Sequence, residues 1–393
     1  MSMRRENEHW LDMLYDPRVR GIILQVVLVL ALLFLGYEIV SNTAANLKKQ
    51  NITSGFGFLA RPAGFDVSQS LIPYSHASTN ARVFWVGLAN TLLVALAGIV
   101  LATVLGIALG IARLSSNWLV SRMALVYVET FRNVPLLLQL FIWYEAVLRT
   151  LPLPQQAVSL PFGSHLDNRG LHLPATHWSQ GGGLVLAALA AGIAGSWWLS
   201  RRAERRRIET GAETRLLWTT LGPVVALPLS VFVLAGRPVT LEWPRLGRFN
   251  YEGGFNIEPE LVALLIGLSV YTAAFIAEIV RSGIAGVPRG QREAAAALGL
   301  RPGQAMRLVI LPQAMRIAIP PLTNQYLNLT KNSSLAVAIG YPDLVSVFSG
   351  TVLNQTGQAV EVIIITMAVY LALSLITSAI KNRVNTRFAL VER

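Results

Sequence analysis

Uninterrupted apolar runs constrain this chain more than any motif does. Eight stretches of about 18–29 residues lie at 21–40, 86–112, 123–151, 183–200, 216–235, 259–283, 317–340 and 360–380, each close to the roughly 20 residues a helix needs to cross a bilayer. A soluble core spreads its apolar residues at helix or strand period; here they run end to end. Only 14% of the residues are charged, against roughly 25% in soluble domains, so lipid is the expected surrounding. Arg4, Arg5, Arg18 and Arg20 precede the first run, an arrangement shared by signal peptides and first spans. No small-x-small cleavage site closely follows Leu35, which favours a span.

The basic residues orient the spans. With the N-terminus inside and the helices alternating, segments 1–20, 113–122, 201–215, 281–316 and 381–393 carry 22 of the 33 Lys and Arg residues, and the outer loops carry 8. Positive charge collects on the cytoplasmic side, so both termini are expected in the cytoplasm. The same bias accounts for the net charge of +12 without a nucleic-acid partner. Arg132, Arg149 and Lys331 fall within predicted spans, where a charge marks a functional suspect. Cysteine is absent, which excludes disulfides and thiolate chemistry.

Character changes along the chain suggest a first part, 1–85, with one helix and an outer loop; then 86–151; then 152–257, which reads as an insert; then 258–382; and a tail, 383–393. In 86–112, Gly98, Ala102, Gly106 and Gly110 recur every four residues, a slanted small-residue stripe suited to close helix contact in lipid. The insert begins with Pro152, Pro154 and Pro161, contains two shorter apolar runs, and joins them through Arg201-Arg202-Ala203-Glu204-Arg205-Arg206-Arg207. Its two crossings return the chain to the side it left. His165, His172 and His177 share its outer loop without the spacing of a zinc site, so a solvated loop is expected there.

Segment 284–316 differs in kind. Glu293-Ala294-Ala295-Ala296-Ala297-Leu298-Gly299 is a helix former ending at a glycine, and Pro302-Gly303 breaks the chain before Gln304 restarts it. Two short helices around a turn are predicted, with small side chains that allow a partner's groove to approach.

This segment resembles the cytoplasmic signature of permease subunits of binding-protein-dependent ABC importers: Glu-Ala-Ala, three residues, Gly, nine residues, then Ile-x-Leu-Pro. Glu293, Ala294, Ala295, Gly299, Leu311 and Pro312 match at that spacing, with Val309 where Ile is usual. The resemblance implies that these six residues couple the chain to an ATPase subunit. The runs Tyr127-Val128-Glu129-Thr130-Phe131-Arg132-Asn133-Val134-Pro135-Leu136-Leu137-Leu138-Gln139, Ala277-Glu278-Ile279-Val280-Arg281-Ser282-Gly283 and Leu329-Thr330-Lys331-Asn332-Ser333-Ser334-Leu335 are similar to patches of polar amino-acid permeases. Asn133 stands for a more usual Gly, and Asn332-Ser333 for Asp-Thr. The extra first helix and the insert resemble the larger, Q-type subunit of general L-amino-acid transporters.

What the resemblance implies is an all-α, polytopic membrane protein of about eight transmembrane helices: a five-helix importer core, one N-terminal helix and a two-helix insert. Its expected work is import of L-amino acids across the bacterial inner membrane, beside an ABC ATPase dimer, a second homologous permease and a periplasmic amino-acid-binding protein. No cofactor of its own is expected. None of the four lysines, Lys48, Lys49, Lys331 and Lys381, follows a glycine, so the chain cannot supply a nucleotide-binding loop and ATP falls to the partner. A secondary transporter is the alternative; it would show repeated halves and a gradient-coupled site.

Candidates for the translocation pathway are Glu129, Arg132, Glu278, Asn328, Lys331, Asn332 and Ser333. Glu129 with Arg132, and Glu278 with Arg281, are three apart and can share a helix face, either to offset each other's charge or to meet a zwitterion. Lys331 lies in the densest polar stretch of an apolar segment, suited to a pathway or to hydrogen bonds between helices. Glu145 and Arg149, four apart, suggest an interfacial ion pair.

Overall fold

The computed structural model describes residues 17–49, 54–179, 182–210, 216–236 and 239–388. They fall into two compact units, 1–88 with 344–373 and 89–343 with 374–393.

In the first unit, α1 (Pro17–Lys49) is apolar and exposed along its length, as a helix facing lipid would be. A loop then forms a small core: Phe58 is fully buried with Val83, Leu344, Phe348 and Val362, and its ring lies 6.2 Å from that of Phe348. Asn80, at the start of α2 (Asn80–Ala112), donates to the Phe58 carbonyl at 3.0 Å and ties the loop to the helix. Residues Val345–Val352 form a π-helical turn leading into the short α11 (Leu353–Thr356), and α12 (Ala359–Phe388) follows.

The second unit holds most of the bundle. α3 (Trp118–Asn133) is capped by Asn117, whose side chain accepts from the Leu119 and Val120 amides. It meets α4 (Leu136–Phe141), continued by a π-helical segment Ile142–Leu148, at a bend of 106°. Sequence alone predicted one span at 123–151. Pro135 explains the difference: it holds Val134 extended (φ −94°, ψ 128°) and cannot continue the helical hydrogen bonding. α5 (Gly182–Thr210) and α6 (Leu216–Leu234) pack together, and a Cβ on Gly192 would stand 2.5 Å from the Pro223 carbonyl oxygen. α7 (Pro259–Ala285) is the central helix, buried along one side against α2, α3, α4 and α10 (Leu311–Asn332). Between α7 and α10 come α8 (Arg289–Ala297) and α9 (Pro302–Ala305).

The glycine stripe makes the close contact its spacing suggests. A Cβ on Gly106 would lie 2.6 Å from Ile276 Cβ, one on Gly110 2.7 Å from Val280 Cβ, and one on Gly98 3.2 Å from Leu329. The helices therefore approach more closely than any larger residue permits.

Five described helices are long and apolar enough to cross a membrane, six if the bent α3–α4 pair is one span. The other two predicted spans fare differently. The second apolar run of the insert forms α6, Leu216–Leu234, close to the expected 216–235. The run 317–340 is divided between α10, which ends at Asn332, and a 3-10 segment, Ser333–Ile339. An all-α fold also leaves out the loops that flank the α5–α6 hairpin. They hold β1 (Val158–Leu160), β2 (Ser164–Asp167), β3 (Gly170–Leu173), β4 (Ala175–Trp178), β5 (Val239–Glu242), β6 (Arg245–Leu246), β7 (Tyr251–Glu252) and β8 (Phe255–Ile257). β3 pairs antiparallel with β8 and β4 with β5, so the two loops zip into one small cap. Strands of two to four residues are too short to show a period of two.

Histidine placement in the cap also departs from the expected solvated loop. His172 is buried and its Nε2 lies 3.1 Å from the buried Asp167 carboxylate. His165 faces His172 across β2 and β3, and both rings stack on Tyr251, at 4.6 and 4.7 Å.

Candidate functional site

The 284–316 segment leaves α7 at Ala285 and turns through Pro288 into α8. Three buried residues, Ile284, Val287 and Ile310, pack with Ala314 under it. Arg292 donates to the Ile284 carbonyl at 2.9 Å, and Gln313 of α10 to Gln291 at 3.2 Å, so the short helix is fastened near its start. It stops as its sequence requires. Gly299 adopts φ +73°, its amide bonds to the Ala296 carbonyl at 2.9 Å, and the Leu300 amide reaches back to the Ala295 carbonyl at 3.1 Å. These are the two hydrogen bonds of a left-handed helix ending, a conformation that a side chain resists. Arg301 then caps α9 by donating its amide to Gln304 Oε1 at 3.1 Å.

The six signature residues do not play one role. Glu293 and Ala294 are exposed, whereas Ala295 is 2% exposed and packs inward, so it shapes the loop rather than offering it to a partner. Leu311 and Pro312 open α10 without a break, because the chain winds continuously from Pro302 through the π-helical Met306–Ile310. Leu298, which sequence reading passed over, is 80% exposed at the end of α8. Its place just before the ending glycine was the available signal for an outward-facing position.

Across the bend between α3 and α4, Glu129 and Arg132 are both exposed and form no ion pair, so of the two roles their spacing allows, mutual charge offset is not the one seen. Arg132 instead lies with its guanidinium 5.3 Å above the Phe275 ring. Asn133 donates to the Glu129 carbonyl at 2.7 Å. The carbonyls freed by Pro135 are taken by Gln139, whose buried amide donates to Phe131 and Val134 at 2.9 Å each. Backbone opened within a membrane needs such internal partners. Gln139 closes the matched motif, yet its role appears only in three dimensions.

Glu278 and Arg281 do pair, with Arg281 Nη2 2.5 Å from Glu278 Oε1. Arg113, just beyond α2, donates to the other oxygen of the same carboxylate, a partner separated by 165 residues and invisible to a spacing rule. One carboxylate thus holds two guanidiniums and fastens α2 to α7. Glu145 and Arg149 also pair, at 2.9 Å.

On α10, Asn324, Asn328 and Lys331 are all exposed; at spacings of four and three they share one face. Lys381 Nζ bonds to Asn324 at 2.9 Å. Among the described residues no carboxylate pairs with Lys331. Asn332 is half-buried, and Ser333 is buried with its hydroxyl donated to the Thr330 carbonyl at 2.8 Å, so Ser333 does not line the open face.

Residues 216–390 match the family described as the binding-protein-dependent transport system inner membrane component. The chain is 51% identical over 380 residues to the general L-amino acid transport system permease protein AapQ of Rhizobium johnstonii, covering 97% of this chain and 95% of the other. It is 49% identical over 394 residues to the putative amino-acid ABC transporter permease protein YhdX of Escherichia coli, covering all of both. With the glutamate/glutamine/aspartate/asparagine transport system permease protein BztB of Rhodobacter capsulatus it shares 42% over 412 residues, 97% of this chain and 96% of that one. Similarity of this degree along the whole length, insert included, places the chain among the multi-pass inner-membrane permease components of ABC-type amino-acid transport systems, which work with an ATPase and a substrate-binding protein.

Proposed function

We propose that this chain moves L-amino acids from periplasm to cytoplasm as one of two homologous permeases, with both termini cytoplasmic and ATP bound and hydrolysed only by a partner ATPase dimer. The observation that carries the reading is the 284–316 loop, rigidly fastened and capped by Gly299, displaying Glu293, Ala294 and Leu298. A loop with its own core transmits a push from a docked partner into α7 and α10, the helices it joins. α10 supports the second half of the reading. A face carrying Asn324, Asn328 and Lys331 is costly against lipid and suits an interface with the second permease, where an ammonium complements a substrate's carboxylate.

Reconstitution in proteoliposomes with the ATPase, the second permease and the external binding protein tests this. Amino-acid accumulation is expected only with ATP inside and all partners present. Uptake driven by an ion gradient without the ATPase would overturn it in favour of a secondary transporter. Orientation is tested with Phe162→Cys, at an 87% exposed cap residue, and Glu204→Cys. A membrane-impermeant thiol reagent should label the first and spare the second in spheroplasts.

A further inference from the structure

The basic end of α5 is built in a way that orientation alone does not require. Trp197 and Trp198 lie within the apolar span Gly182–Arg205 and are 58% and 52% exposed. One turn on, the Arg201 guanidinium carbon stands 4.0 Å from the Trp197 ring centroid, and that of Arg202 4.4 Å from Trp198. Two neighbouring positions thus repeat the same Trp–Arg stack. Ala203 beside them is buried and Arg205 is exposed, and the sequence continues with Arg206 and Arg207, so five arginines stand against the two carboxylates of Glu204 and Glu209.

Stacking fixes what each arginine can do. Lying over an indole ring, a guanidinium is held close to the helix, and its N–H groups remain donors for an anion. The indoles belong to the apolar span, so those donors are displayed at the boundary of the hydrocarbon layer. Guanidinium forks at two successive helix positions match anionic groups with several acceptor oxygens, and the anion always present at that depth is a lipid phosphate. We propose that the Trp197–Arg201 and Trp198–Arg202 pairs form a binding site for the headgroup of an anionic phospholipid. Such a lipid anchors the insert hairpin at the membrane surface through a contact separate from the substrate route.

Native mass spectrometry of the purified protein, with phosphatidylglycerol and phosphatidylcholine of identical acyl chains added in equal amounts, tests the site. The wild-type protein should retain phosphatidylglycerol in preference, by about fivefold for each arginine engaged. Arg201→Gln with Arg202→Gln should bring retention down to the phosphatidylcholine level. Trp197→Leu with Trp198→Leu keeps the arginines but removes the stacks and should weaken the preference several-fold. Equal retention of the two lipids by the wild-type protein overturns the proposal, and that arm needs no variant. So does an undiminished preference in the arginine variant, or displacement of the lipid by millimolar inorganic phosphate, which would mark a site for free anions. Loss of ATPase co-purification with the lipid preference intact would assign the arginines to a protein contact instead.

Discussion

Arg113, in the turn after α2, and Arg281 of α7 share the single carboxylate of Glu278, and only 13% of the Arg113 side chain is exposed. Removing the carboxylate strands two partly buried cations. Glu278→Gln is therefore expected to destabilise the protein by roughly 2 kcal/mol, less than the 3–5 kcal/mol of a fully buried pair because water reaches part of the site. Adding Arg113→Gln to Glu278→Gln should recover part of the loss. A double-mutant cycle from thermal unfolding in detergent measures the coupling, and additive losses would show that Arg113 and Glu278 act independently.

Close packing at Gly106 gives a second prediction. A β-branched side chain there meets Ile276 and the Ala273 carbonyl and cannot be accommodated without moving α7. Gly106→Val should cost about 1–3 kcal/mol and lower the amount of folded protein in the membrane. Gly36→Val, on a helix where nothing lies within 4 Å of the added carbon, should leave that amount unchanged.

Features set by neighbours in sequence were legible before the structure. Gly299 takes the left-handed conformation its place after an alanine helix implies, and Gly98, Gly106 and Gly110 make the contact their spacing announces. What stayed hidden was set by distance in sequence. Arg113 meets a carboxylate far along the chain, β3 finds β8 across the whole α5–α6 hairpin, and Gln139 repairs a bend that an apolar run does not reveal. Helical spacing also overreached at Glu129 and Arg132: it grants two residues a common face, but Phe275 offers Arg132 another partner.

Tyr251 predicts an alkaline limit for the cap. Its phenol is held above the usual value near 10, first by burial and then by the Asp167 carboxylate. The folded state thus favours the neutral phenol. Its contribution to stability is fully present below the unfolded value and is lost as pH rises through the folded one. Limited proteolysis of the cap between about pH 9 and 12 should show protection declining in the wild-type protein. Tyr251→Phe should flatten that decline, and an identical decline in both would place its origin elsewhere.

Lys331 separates a pathway role from a structural one. Its ammonium is exposed and has no carboxylate partner among the described residues, so Lys331→Met should leave folding within about 0.5 kcal/mol of wild type. If the charge meets substrate, uptake by the reconstituted complex should fall at least roughly tenfold, the effect of losing one charge-assisted hydrogen bond. Unchanged uptake of every amino acid tried would remove Lys331 from the route.

Docking is best tested at Leu298, because the structure separates it from residues that hold the loop together. Its side chain is 80% exposed, whereas Ala295 three residues earlier is buried; a bulky residue at Ala295 would disrupt the loop's own packing and report on folding instead. Leu298→Glu places a charge where a partner's groove would have to desolvate it, at a cost of several kcal/mol to association and almost nothing to the free chain. Gly299→Val acts differently. An added β carbon would meet nothing within 4 Å, but φ +73° penalises a β-branched residue by roughly 1–2 kcal/mol, so the helix ending loosens and α9 shifts. The expected result is wild-type amounts of both variants in the membrane, ATPase retention on purification lost for Leu298→Glu and reduced for Gly299→Val, and uptake reduced in the same order. Full ATPase retention by Leu298→Glu would remove that side chain from the interface and leave the exposed signature residues, Glu293 and Ala294 together with Leu311 and Pro312, to meet the partner.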